Sequence, residues 1–199
     1  MISNEPWALV ADLQRGDPAA VEPTLAYLEL DPWAFRTGYV KDRLLRHLHR
    51  HDLAAPDRGR IDVVLLRYAD VGPRTEFGTA CRLARQAGTP QLGPALIERL
   101  RDDDIGVVVR SLRMLMSIRL DLDTHELDTG REALHVWIGS HRNFSPTRWV
   151  TQLARYLWSP TWQTALAAEA SEGPLGLRQE GARLLLGMFD SEGTSPSSA

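Results

Sequence analysis

The chain has 199 residues, 43% of them hydrophobic and 25% charged, and a net charge of −3. Those values are ordinary for one soluble globular domain with a sizeable core. They accompany no apolar run near the roughly 20 residues a membrane span needs, no basic-then-apolar order in Met1–Arg15 such as a secretory signal carries, and a single cysteine, Cys81, which excludes an internal disulfide and suits a reducing cytoplasm.

From the N-terminus onward, apolar residues recur with helical spacing. The first helix is predicted over about Glu5–Arg15, with Trp7, Val10 and Leu13 on one face. Gly16-Asp17-Pro18 then supplies a stop, an N-cap and an N1 proline in succession. The second helix carries Val21, Leu25 and Leu28 and ends near Asp31-Pro32. After Trp33–Gly38 comes a helix with Val40, Leu44, Leu45 and Leu48, then one with Ile61, Val64, Leu65 and Tyr68 that stops at Gly72-Pro73.

The pattern is clearest from Pro73 to Arg119. Phe77, Ala80, Cys81 and Ala84 fall at i, i+3, i+4 and i+7, and Gly88 ends that helix. Thr89-Pro90 caps the next, which holds Leu92, Leu96, Ile97 and Leu100. Asp102-Asp103-Asp104 offers capping oxygens and negative charge to a third, striped by Ile105, Val108, Val109, Leu112, Leu115 and Met116. A polar link, Asp121–Gly130, leads to a helix with Leu134, Trp137 and Ile138. Ser145-Pro146 caps one with Val150, Leu153 and Leu157, and Ser159-Pro160 starts another with Trp162, Ala165 and Leu166. Gly173-Pro174 precedes the last, with Leu177, Leu184, Leu185 and Met188, and a disordered tail is expected from Ser191. About eleven helices result, with no convincing strand. Val107-Val108-Val109 is β-branched, but the helical period around it should prevail. Each helix is too short to be stable alone in water, so each must bury its stripe against neighbours.

The run Asp104-Ile105-Gly106-Val107-Val108-Val109-Arg110, followed by Leu112 and Leu115-Met116, resembles the second helix of a HEAT repeat. Leu177-Arg178, with Gly181 and Leu185, looks like a second copy. The resemblance extends over about residues 40–190. It implies an all-α, right-handed α-solenoid of stacked helix pairs, a single repeat domain over residues 1–190, and a concave face of the kind that binds other proteins without catalysis.

Charge is unevenly spread. Residues 1–33 sum to −5, residues 34–119 to +6 and residues 120–199 to −4. A basic middle between acidic ends suits an acidic partner or a phosphate backbone, although arginines alternating with acids on solvated faces would give the same sums. Only Lys41 among the 23 basic residues is lysine, a bias that points to a GC-rich genome.

Several constellations invite a chemical reading, each beside a plainer one. His47 and His51 stand at i, i+4, a two-ligand metal spacing, yet on the apolar side of their helix. Asp121, Asp123, Thr129 and Glu132 match positions 1, 3, 9 and 12 of a calcium loop, but Glu126 occupies the position that needs glycine. Asp102–Asp104 reads as a cap before it reads as a metal site. Cys81 lies on an apolar face, as an inert core thiol would. No phosphate-binding glycine loop, nucleophile elbow or His-Glu-x-x-His run is present, so no metal or cofactor is expected.

Four of the six tryptophans, Trp137, Trp149, Trp158 and Trp162, lie in the C-terminal third. Trp149 shares a face with Leu153 and Tyr156, Trp137 shares one with His141, and Arg142, Arg148 and Arg155 are interspersed. Core packing explains such tryptophans; so does a groove in which Trp and Arg anchor a partner. The expected contacts are Arg110, Arg113, Trp137, Arg148, Trp149 and Arg155, in a non-catalytic module that binds a protein partner, with acidic character favoured. The alternative is a nucleic-acid-binding helical-repeat protein, a glycosylase for alkylated bases, in which Trp and Arg would face the lesion.

Overall fold

The computed structural model describes residues 6–32, 37–72, 74–141, 147–172 and 176–190. Among these the chain is all-α, with eleven α-helices, two 3-10 turns and no strand. The Val107–Val109 run is helical, as its period required. Trp33–Arg36, Pro73, Arg142, Ser145-Pro146, Gly173-Pro174 and the tail from Ser191 lie outside the described residues. Among the described residues no helix is long and apolar enough to cross a membrane.

The chain divides into two compact units: residues 1–98 with 117–120, and residues 99–116 with 121–199.

The first unit contains α1 (Pro6–Arg15), α2 (Val21–Leu30), α3 (Thr37–Leu48), α4 (Ala55–Asp70), α5 (Phe77–Ala87) and α6 (Leu92–Glu98). Asp17 accepts the Ala19 N–H at 2.9 Å, with Pro18 opening a 3-10 turn before α2, as the Gly-Asp-Pro order predicts. Packing is largely alternating, with α1 meeting α3, α2 meeting α4, α3 meeting α5 and α4 meeting α6, and α4 also packs on its neighbour α5. The residues that face inward are those of the helical period, including Leu25, Leu44, Leu48, Leu65 and Leu96, each fully buried. Burying one such leucine stabilises the fold by about 1.5–3 kcal/mol. Trp7 is a correction. It was expected on the apolar face of α1, but 54% of it is exposed, because Leu9, Val10 and Leu13 form the buried stripe.

The second unit contains most of α7 (Ile105–Ile118), then α8 (Thr124–Ser140), α9 (Arg148–Tyr156), α10 (Pro160–Glu172) and α11 (Leu177–Asp190). Here α8, α9 and α10 all pack on α11. Two glycines permit the closest approaches. A Cβ at Gly181 would lie 2.6 Å from the His135 carbonyl oxygen, and one at Gly130 would lie 2.9 Å from Leu112 Cδ2. From Thr124 on, the polar link expected over Asp121–Gly130 is instead the first turns of α8. Asp123 accepts the Glu126 N–H at 2.8 Å while Glu126 accepts the Asp123 N–H at 2.8 Å, a capping box that starts the helix seven residues earlier than Gly130–Arg131 would.

Candidate functional site

The site expected from the sequence is built on α7, α8 and α9 of the second unit. Helix α9 has nine residues and buries Val150, Leu153 and Ala154. That inward stripe leaves Arg148 and Arg155 exposed on the opposite side and Trp149 half-buried between them. The Trp149 indole meets Trp137 of α8 with ring centroids 5.5 Å apart and planes inclined by 55°. The guanidinium of Arg113, from α7, lies 4.5 Å from the centre of the same indole, within the range of a cation–π contact. One turn beyond Trp137, His141 stacks on it at 4.4 Å, and its Nδ1 lies 2.6 Å from the Trp137 carbonyl oxygen.

Three of the six expected contacts therefore converge: Arg113, Trp137 and Trp149. Arg148 and Arg155 stand on the solvent side of α9. Arg110 does not join the group. Its guanidinium lies over Gly106, where a Cβ would come within 2.8 Å of it, and reaches back to the Asp104 carboxylate at 3.9 Å. The Asp-x-Gly-x-x-x-Arg spacing thus has a local explanation. Asp104 caps α7 through the Gly106 N–H at 2.7 Å, and Arg110 pairs with the cap.

The other candidates also resolve into packing and capping. Helix α3 ends at Leu48, so His51 is past the helix and lies with Nε2 3.0 Å from the Leu13 carbonyl oxygen, while His47 is buried. Burial, then the charges of Arg50, Arg43 and Arg46, hold the His47 imidazole below its ordinary range. In the acidic stretch Asp123 caps α8, Asp128 pairs with Arg131 at 2.6 Å, and Glu132 pairs with Arg178. Among the described residues, no three His, Cys, Asp or Glu side chains gather as a metal would require. Cys81 is buried.

Two polar clusters were not expected. In the first unit Lys41, only 2% exposed, donates to the Asp31 carboxylate at 2.5 Å, and Arg74 donates to the same oxygen at 2.7 Å. Asp31 closes α2 in the left-handed conformation, φ 48°, which places its carboxylate between α3 and the loop before α5. Burial alone would raise its pKa; the hydrogen bonds from Arg74 and Lys41 outweigh burial and hold it below the carboxylate range. Beside it Tyr68 is buried beneath Arg74, and burial, reinforced by the charges of Glu76 and Asp31, pushes its phenol up. Leu28, Asp31, Val64, Arg67, Tyr68 and Arg74 line a shallow crease there. Lys41 precedes the leucine pair of its helix, and the fold brings it under Asp31.

In the second unit Arg178 of α11 joins Glu169 of α10, at 2.8 Å, to Glu132 of α8. The buried His135 lies under this bridge, with its Nε2 2.6 Å from the Arg178 carbonyl oxygen. Arg178 and Gly181 both serve the seating of α8 and α10 on α11.

Compared with known proteins, the chain matches no family model, no curated protein and no solved structure.

Proposed function

We propose that this protein is a non-catalytic protein–protein interaction module of the cytoplasm, working without a cofactor. The observation that carries the reading is the Arg113–Trp149–Trp137 stack, with Arg148 and Arg155 exposed beside it. Tryptophan and arginine are the residue types that dominate binding energy at interfaces, and here three helices hold two indoles and a guanidinium in fixed register. Cationic groups at Arg148 and Arg155 favour a partner segment with acidic residues around an apolar anchor. The alternating helix packing of the first unit supports a finer reading, in which the helix pairs form a right-handed HEAT-like stack.

The test is to replace Trp149 and Arg148 together by alanine in the full chain. Partner capture from the native cell, followed by titration of the purified partner, should show at least a ~30-fold loss of affinity while circular dichroism stays unchanged. Capture that survives the double change would remove the proposed surface. Release of alkylated bases from methylated DNA would instead establish an enzyme.

A further inference from the structure

The exposed face of α3 carries a feature that the tryptophan surface does not use. Tyr39, Arg43, Arg46 and Arg50 follow one another at i, i+4, i+7 and i+11, on the side opposite the buried Val40, Leu44, Leu45 and Leu48. Tyr39 is 64% exposed. All three arginines are exposed, and Arg50 lies in the turn that extends the helix, its N–H bonded to the His47 carbonyl at 3.0 Å. From Tyr39 to Arg46 the row runs about 10 Å along the axis. Helix α5 packs beside α3 and adds the exposed Arg82 and Arg85.

The one carboxylate on this face of α3, Asp42, is already engaged: Arg46 donates to it at 2.6 Å and the Thr79 hydroxyl donates to its other oxygen, while Arg82 donates to Thr79 at 2.7 Å. That chain places the Arg46 and Arg82 guanidinium groups on either side of a neutralised acid. The guanidinium groups of Arg43, Arg50 and Arg85 make no hydrogen bond or ion pair with any described residue. Five arginines thus face one carboxylate, with the exposed Asp52 next in sequence beyond the row. Just beneath, burial and then the charges of Arg50, Arg43 and Arg46 hold the His47 imidazole below its ordinary range.

We infer that the α3–α5 face of the first unit is a binding surface for single-stranded nucleic acid, its phosphates running along Arg43, Arg46, Arg50, Arg82 and Arg85 and one base stacked on Tyr39. Charge complementarity selects a polyanion. The composition of the face selects the kind: the exposed side of α3 offers cations and one flat ring but no aliphatic anchor, and a protein interface needs an apolar centre. A base presents a π-face to Tyr39 whatever its sequence, and guanidinium groups pair with phosphate oxygens bidentately. The inference does not rest on the tryptophan site.

The experiment is fluorescence anisotropy of the full chain with a labelled single-stranded oligothymidylate of about 12 nucleotides, within the span such surfaces cover. Titrations run from about 50 to 200 mM salt, with a glutamate-rich peptide of equal charge as the competing anion. Saturable binding is expected, with a log–log salt slope of about −3, as four or five phosphate contacts would produce. Arg43→Gln with Arg50→Gln should bring the slope to about −1.5. Tyr39→Ala should weaken binding about tenfold with the slope unchanged. Trp149→Ala should leave oligonucleotide affinity as it is. The inference is overturned by absence of binding at 50 mM salt, by equal affinity for the peptide, by unaltered binding in the arginine pair at native helicity, or by loss confined to Trp149→Ala.

Discussion

In the first unit α1 packs on α3, α2 on α4, α3 on α5 and α4 on both α5 and α6, whereas in the second α8, α9 and α10 share α11 as a common neighbour. The ties differ as well. Across the first unit run charged side chains: Lys41 and Arg74 on Asp31, and Arg60 on both Glu29, at 2.6 Å, and Glu22, at 2.5 Å. The second unit has a charged tie, Arg178 on Glu132 and Glu169, and adds close contact at Gly130 and Gly181 and aromatic rings, Trp137 on Trp149 and Trp162 on Phe189 at 6.0 Å. Helices of similar length and period thus reach two packings. The difference teaches that the apolar stripe sets which side of a helix is buried, while the few polar or very small residues inside that stripe set which neighbour buries it.

The sharpest way to break the comparison is at Asp31. Asp31→Asn keeps a residue that tolerates the left-handed conformation and removes the charge under which Lys41 is buried. It should cost about 3–5 kcal/mol in denaturant unfolding, with hydrogen exchange rising in the first unit before the second. The pH dependence follows from the same group. Its folded pKa is depressed, so its contribution is full above the ordinary carboxylate range, near about 4, and is lost as pH falls below that through the folded value. Wild type should therefore lose stability more steeply in acid than Asp31→Asn does.

Gly181→Ala probes the second unit in the complementary way. The new methyl meets backbone, the His135 carbonyl oxygen, so α8 and α11 must separate. A loss of about 1–3 kcal/mol is expected, read by tryptophan fluorescence, since Trp137, Trp149, Trp158 and Trp162 all belong to this unit. An unchanged unfolding midpoint would show that the helix crossing is not as close as described. Asp123→Ala removes the capping box of α8 and should cost about 1 kcal/mol. Smallest is Thr24→Val in the first unit. The Thr24 hydroxyl is buried and has no hydrogen-bond partner among the described residues, so a methyl of similar shape should leave stability unchanged or raise it by up to about 1 kcal/mol. A marked loss would reveal a partner for that hydroxyl.

Much of the helix content was legible because it is local chemistry. Asp17-Pro18 and Asp104 signal helix starts through groups adjacent in the chain, and Leu44, Leu45 and Leu48 report their buried face through spacing alone. The start of α8 was legible too, in Asp123 and Glu126, but the acidic run around that pair disguised a capping box as a link. Of the expected contacts, Trp137 and Trp149 could be placed on faces, yet their meeting under Arg113 could not, since three helices supply them.

By itself the sequence determined that this chain is helical, roughly where each helix begins, and which side of each is apolar, because hydrogen bonding, capping and period act within a few residues. Only the tertiary structure decided that Lys41 is buried against Asp31, that Arg113 lies on Trp149, that Arg178 bridges Glu132 and Glu169, and that the two halves pack differently. Those outcomes depend on groups 10 to 46 residues apart meeting at one place, and a one-dimensional pattern carries no record of which faces come together.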